Sequence, residues 1–252
     1  MIRGVWVIFL LVVSTVVLGG LTLLMLPFPF RLKFYRWAGR LWARIMVGAT
    51  GAKVTIQGAE LLQDGEHYFF VGNHESALDI PLMVLAAGRP VRFLAKNTLF
   101  RIPVFGWVLR AYKETPIDRS SPRKVKESIA LLMEYQKQTP RSLLIFPEGT
   151  RGDGTDILPF KTGSGKILTQ LGLPVVPFSI RGSLAAHEAR SIRVHPAPVR
   201  IIFGIPISAE EVRSSDPAEL IARVEQAVSQ QYHLGLSGGE KAVQCQEVGT
   251  EN

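Results

Sequence analysis

Cysteine is almost absent from this chain: among 252 residues there is one, Cys245. No internal disulfide and no cysteine-built metal site can form, which agrees with a reducing cytoplasmic compartment. No acidic residue precedes Glu60, whereas Arg3, Arg31, Lys33, Arg36, Arg40, Arg44 and Lys53 all do. Those seven charges supply nearly all of the net +8. A nucleic-acid binder spreads its Lys and Arg over the folded body. Here the excess is confined to the region that also holds the longest apolar run, which argues for an anionic membrane surface and against nucleic acid. Other signatures are missing too. A zinc-protease helix built on His74-Glu75 needs histidine at 78, where Leu78 stands, and no cluster of metal ligands is apparent. No Gly-x-Ser-x-Gly elbow is present for a serine nucleophile. Gly163-Ser164-Gly165-Lys166 resembles the end of a P-loop, but Phe160 and Ile167 stand where glycine and Ser or Thr are required, which excludes that nucleotide site.

What is present begins with residues 5–26, apolar apart from small and hydroxyl residues and long enough to cross a bilayer core of about 30 Å. The run exceeds a signal-peptide core and is followed by basic residues from Arg31 onward rather than by a small-residue cleavage site. It predicts a membrane helix, with Gly19-Gly20 leaving a re-entrant hairpin as the alternative. The basic residues after it place the following chain on the cytoplasmic face of the cytoplasmic (inner) membrane. Residues 31–47 predict a basic amphipathic helix, with Lys33, Arg36, Arg40 and Arg44 on one stripe and Phe34, Trp37, Leu41, Trp42, Ile45 and Met46 over much of the rest. Such a helix suits the headgroup layer. A helix docked on the body with its charges in water is the other reading.

Beyond this anchor (1–47), short apolar runs at 54–57, 67–72, 91–95, 143–146, 175–180 and 199–203 predict strands. Helical candidates at 81–87, 122–138, 163–171 and 217–232 lie between or after them. The alternation predicts an α/β domain over 48–234, with a mixed, largely parallel central sheet flanked by helices. Residues 235–252, rich in Gly, Ser, Glu and Gln, read as a disordered polar tail.

The segment Asn73–Asp79 follows a predicted strand and precedes a predicted helix, a place where catalytic groups are often mounted. His74 offers a base. Asp79, at a helix N-terminus that favours an ionised carboxylate, offers a partner. In an extended loop the two would be roughly 16 Å apart, so they meet only if the loop curls back. Taken alone, His74 and Asp79 are equally well read as a surface histidine beside a capping aspartate.

Four ordered blocks change the balance: Asn73-His74 with Asp79; Lys96, Leu99, Pro103 and Gly106; Phe146-Pro147-Glu148-Gly149-Thr150-Arg151; and Val175-Val176-Pro177. In these the chain resembles the glycerolipid acyltransferase superfamily, in particular its 1-acyl-glycerol-3-phosphate acyltransferases. Ser164-Gly165, where the family often carries bulkier residues, departs from the pattern. The resemblance implies an O-acyltransferase of phospholipid biosynthesis that makes phosphatidate from lysophosphatidate. It implies no cofactor beyond acyl-CoA or acyl-carrier protein as co-substrate. It implies His74 and Asp79 as the catalytic pair, and Lys96, Glu148, Gly149, Thr150 and Arg151 as the substrate-binding set. Within that set Lys96 and Arg151 would hold the phosphate and amides near Gly149 the oxyanion. Glu148 would brace the turn or Arg151. Asp118-Arg119 matches a further polar position of the family or is an exposed turn. Two alternatives stay open: the same transfer onto another lyso-lipid, such as lyso-ornithine lipid, and a non-catalytic membrane-binding scaffold.

Overall fold

The computed structural model describes residues 2–118, 120–187, 191, 193–234 and 246–247. The strands are β1 (Lys53–Gln57), β2 (Phe69–Gly72), β3 (Val91–Lys96), β4 (Thr115–Ile117), β5 (Ser142–Ile145), β6 (Val175–Arg181), β7 (Pro198–Phe203) and β8 (Gln246–Glu247). The helices are α1 (Ile2–Leu24), α2 (Arg31–Thr50), α3 (Asp79–Ala86), α4 (Phe105–Ala111), α5 (Pro122–Gln138), α6 (Gly163–Leu171), α7 (Ser183–Ala186), α8 (Ala209–Ser214) and α9 (Pro217–Leu234). Strands pair in the order β4-β3-β5-β2-β6-β7-β1-β8. The five from β4 to β6 are mutually parallel, β7 runs antiparallel to β6, and β1 lies parallel to β7. The expected mixed, largely parallel sheet is therefore found.

β2 sits at the centre and is apolar on both faces, as a strand covered by helices on each side must be. Phe70 joins Val47, Leu82 and Met83, from α2 and α3, on one face. Phe69 and Val71 join Leu132, Leu168, Val224 and Val228, from α5, α6 and α9, on the other. The Ser164-Gly165 departure has a packing cause: a Cβ on Gly165 would stand 1.9 Å from the Pro217 carbonyl oxygen, so only glycine lets α6 meet the start of α9. Because the central strands are parallel, their carboxyl ends share one edge. There the chain leaves β2 toward His74, β3 at Lys96, β4 toward Asp118 and β5 toward Phe146.

α1 and α2 form an antiparallel hairpin. α1 is long and apolar enough to cross a membrane by length and composition, yet both of its ends are held on the body. Arg3 Nε donates to the Ala49 carbonyl, and Val7 packs with Met46 and Val194. At the far end the Tyr112 hydroxyl lies 3.2 Å from the Arg31 carbonyl and 3.4 Å from that of Thr22. A Cβ on Gly19 would come 2.7 Å from Val104 Cγ1, so the helix lies close against the loop before α4. α2 runs to Thr50, past the expected boundary at 47, and stops at Gly51, whose φ of 72° suits glycine. Its inner face buries Ala38, Ala43, Met46 and Val47. Tyr35 stacks on Tyr112 with centroids 3.9 Å apart and donates to Glu114, which also accepts from Arg141 at 2.7 Å. Lys33, Arg36 and Arg44 stay exposed, while Arg40 is half-buried and donates to the Gly88 carbonyl at 2.7 Å. The amphipathic helix is thus docked, with part of its charge outward. The expected disordered tail at 235–252 falls outside the described residues except for Gln246–Glu247, which pair antiparallel with β1.

Candidate active site

β2 ends where Asn73 takes over from the backbone. Its side-chain Nδ2 donates to the Ile180 carbonyl at 2.7 Å, and its Oδ1 accepts the Ile180 N–H at 2.8 Å. A side-chain amide thus extends the pairing of β2 with β6 by one rung and lets the main chain turn away. The turn curls tightly. Asp79 Oδ2 accepts the Glu75 N–H at 2.8 Å, the Ser76 N–H at 2.9 Å and His74 Nδ1 at 2.6 Å. Spacing alone left this closure open. It arises because a carboxylate at the first residue of α3 gathers the orphan amides of the preceding turn.

With Nδ1 donating to Asp79, the second ring nitrogen of His74 keeps its lone pair, the form a general base needs. The His74 side chain is 18% exposed and that of Asp79 is fully buried. Phe146 stacks on the imidazole, centroids 4.2 Å apart and planes 13° apart, and fixes its tilt. Phe146 stands in the recognised motif, but its contact with His74 had no signal in the sequence.

The segment from Phe146 to Gly149 is a turn closed by the Gly149 N–H on the Phe146 carbonyl at 3.1 Å, with Gly149 at φ 74°. The Gly149 amide is committed to Phe146, and the amides of Thr150 and Arg151 make no hydrogen bond among the described residues. Glu148, expected in the substrate-binding set, does not itself line the cavity and makes no bond to Arg151 among the described residues: it is 4% exposed, and its two oxygens accept the His74 N–H and the Leu158 N–H, both at 3.2 Å. It braces the main chain of the histidine. Burial pushes its carboxyl up to about 7, and the Asp79 carboxylate adds to this, against the lowering effect of the two amides. The Gly152 N–H donates to the His74 carbonyl at 2.8 Å, tying the stretch after Arg151 to the same residue.

His74, Lys96, Gly149, Thr150 and Arg151 line one cavity of about 2190 Å³. The side chains of Lys96 and Arg151 make no hydrogen bond or ion pair among the described residues. Nine Lys and Arg residues contribute to the wall, against Asp118 as the one carboxylate among the described residues, and Asp118 is paired with Lys124 at 3.1 Å. Arg119 lies outside the described residues. Lys161, His187 and Arg101 also line the cavity, and sequence reasoning did not single them out. The wall also carries apolar side chains, among them Leu11, Val12, Leu18, Ile80, Val84 and Phe105 from α1, α3 and α4. No three His, Cys, Asp or Glu side chains among the described residues converge on a metal position.

A chloroplastic 1-acyl-sn-glycerol-3-phosphate acyltransferase from Brassica napus is 34% identical over 214 residues, covering 82% of this chain and 61% of its own. A protein of the same description from Cocos nucifera is 32% identical, over 80% of this chain and 65% of its own. The chain therefore spans less than two thirds of the length of these plant relatives. A Pseudomonas aeruginosa protein so described is 28% identical over 91% of this chain and 90% of its own. The crystal structure of the 1-acyl-sn-glycerophosphate (LPA) acyltransferase PlsC from Thermotoga maritima superposes with a TM-score of 0.80 at 25% identity, covering 95% of this chain and 97% of that one. The model of the family described as Acyltransferase matches residues 53–181, just over half of the chain and the stretch that carries the four blocks and every residue of the curled loop, so the chain belongs to the acyltransferase family.

Proposed function

We propose that this chain transfers an acyl group from acyl-CoA or acyl-carrier protein to the free hydroxyl of 1-acyl-glycerol-3-phosphate, forming phosphatidate. The observation that carries the reading is the 2.6 Å contact of His74 Nδ1 with Asp79 Oδ2, on a cavity wall that also presents Lys96 and Arg151. An alcohol holds its proton far too tightly at neutral pH to attack unaided, so transfer needs a base at that proton. His74 Nε2 takes it as the oxygen attacks the thioester carbonyl, and Asp79 stabilises the imidazolium that forms. The amides of Thr150 and Arg151 receive the developing oxyanion. Collapse breaks the carbon–sulfur bond, and the leaving thiolate recovers the proton from His74. No acyl-enzyme intervenes. Lys96 and Arg151 hold the acceptor's phosphate, Arg151 through a fork that can engage two oxygens at once. The apolar side chains of the cavity wall house acyl chain.

The hairpin sets the membrane geometry. A helix tied to the body at both ends cannot cross a bilayer without dragging the body with it. The reading is that α1 lies in one leaflet, with Val5, Trp6, Phe9, Val13 and Val17 outward in the acyl region. Lys33, Arg36 and Arg44 of α2 then meet anionic headgroups. The body rests on the cytoplasmic face of the inner membrane.

The test is a panel. Purified protein is given lysophosphatidate, other lysophospholipids or lyso-ornithine lipid, each with labelled acyl-CoA or labelled acyl-carrier protein. Phosphatidate as the dominant product supports the reading. Transfer confined to another acceptor, or no transfer with either donor, contradicts it.

A further inference from the structure

Beside the catalytic histidine lies a buried acid that the mechanism does not use. Glu75 is 3% exposed. Its Oε2 accepts the Gly182 N–H at 3.1 Å, the Ser183 hydroxyl at 3.2 Å and the Leu184 N–H at 3.3 Å. Its Oε1 lies 2.7 Å from the hydroxyl of Tyr232, a residue of α9 that is itself 1% exposed. That hydroxyl also lies 2.9 Å from the carbonyl oxygen of Gly154. A phenol carries one proton. Were Glu75 an ionised carboxylate, Tyr232 would face two acceptors with a single hydrogen, and one short buried contact would go unmade. A proton on Glu75 Oε1 resolves the geometry: the acid donates to the phenol oxygen and the phenol donates to Gly154.

The two ends of this relay matter. Glu75 is bonded in sequence to His74. Gly154, at φ 79°, belongs to the short stretch after Arg151 that is also tied to the His74 carbonyl through Gly152. The ring of Tyr232 is held from behind by Arg181, which stacks 4.7 Å from its centroid and donates to its carbonyl at 3.0 Å. The base and the anion-holding arginine are thus referenced to one fixed point on α9.

We propose that Glu75 and Tyr232 are positioning residues for acyl transfer, a neutral-acid relay that sets the Arg151 guanidinium at its working distance from His74. Burial, which raises the Glu75 carboxyl above the ordinary range despite its hydrogen bonds, acts in the same direction. The proposal rests on the reading that Arg151 holds the acceptor's phosphate.

The experiment compares Tyr232→Phe, Glu75→Gln and Arg151→Ala in the full-length protein, with lysophosphatidate and acyl-CoA varied separately. Arg151→Ala tests the underlying reading: if its defect falls on the donor, the phosphate assignment fails, whatever Tyr232 does. With that assignment holding, Tyr232→Phe keeps the ring and removes the relay, and should raise the acceptor KM about two- to ten-fold, the range of one lost hydrogen bond. The donor KM and kcat should stay near those of the unmodified protein. Unchanged kinetics, or an equal loss on both substrates, overturns the positioning role. Glu75→Gln supplies a neutral side chain that still donates toward Tyr232 and accepts on its other side, and should keep near-normal kinetics. Loss of activity in folded Glu75→Gln would mean that the ionised form is the working one, which overturns the relay. An infrared difference spectrum gives a direct reading should Tyr232→Phe fail to fold. At neutral pH the protein should show a protonated-carboxyl band that Glu75→Gln lacks, and its absence contradicts the proposal.

Discussion

Replacing Asn73 with alanine separates a structural role from a catalytic one in the motif's first residue. Asn73 is 1% exposed, and its amide satisfies both backbone groups of Ile180, itself fully buried. Alanine removes donor and acceptor together and leaves an N–H and a carbonyl without partners in a space closed to water. Each orphaned buried group costs about 1–3 kcal/mol, so the pair amounts to about 2–6 kcal/mol. Set against a total stability of about 5–15 kcal/mol, that is a large share. Urea unfolding in detergent micelles, followed by tryptophan fluorescence, should show a markedly lower midpoint with little change in slope. Transfer should fall in parallel, because the same rung aims the loop that carries His74. A destabilisation below about 1 kcal/mol would refute the reasoning, since the Ile180 backbone would then be satisfied by other means.

Three further outcomes follow from the same contacts. Glu148 titrates at about 7 in the folded protein, against an ordinary 4.5, so the native state binds the extra proton between those values. Stability should therefore fall as pH rises from about 4.5 to about 7, by roughly 3 kcal/mol from this group. Glu148→Gln should flatten that slope in unfolding curves collected across the window, and an unchanged slope would assign it to other groups. Asp79→Asn should cut turnover severely even where the protein stays folded, because an amide can orient the ring but supplies no charge to the imidazolium; retained activity would reduce Asp79 to a helix-terminal brace. Replacing Lys33, Arg36 and Arg44 with Gln should weaken flotation with anionic vesicles, by about 1 kcal/mol per charge at low salt, and leave binding to neutral vesicles unchanged; equal behaviour on both would make the stripe a solvated face.

Much of the architecture was legible because the central strands are short apolar runs between helical periods, and 122–138 and 163–171 form helices with the expected limits. β4 was not legible. It is three residues long and contains Pro116, which lowers any strand signal, and it is tolerated because β4 is an edge strand. α4 escaped for a related reason: seven residues opening after Val104, whose φ of 60° no sequence rule anticipates for a β-branched residue. The first apolar run was legible as a helix long and apolar enough to cross a membrane, but length cannot report that Arg3 and Thr22 both contact the body or its partner helix. At the site, residue types were readable and contacts were not. Nothing in the spacing says that Glu148 holds the His74 amide, or that Tyr232 reaches Glu75 across 157 positions.

The central claim is that His74 is the base for acyl transfer, and the most direct test is the rate of phosphatidate formation by His74→Ala with saturating lysophosphatidate and labelled acyl donor. Its ring contributes a stacking contact with Phe146 and the bond to Asp79, while the amides that Asp79 and Glu148 hold belong to the main chain and survive the change. The variant should therefore stay folded and membrane-bound. The account predicts a fall of about 10²–10⁴-fold in turnover, the usual cost of losing a general base. Turnover within a few-fold of the unmodified protein, in a variant shown to be folded, would contradict it.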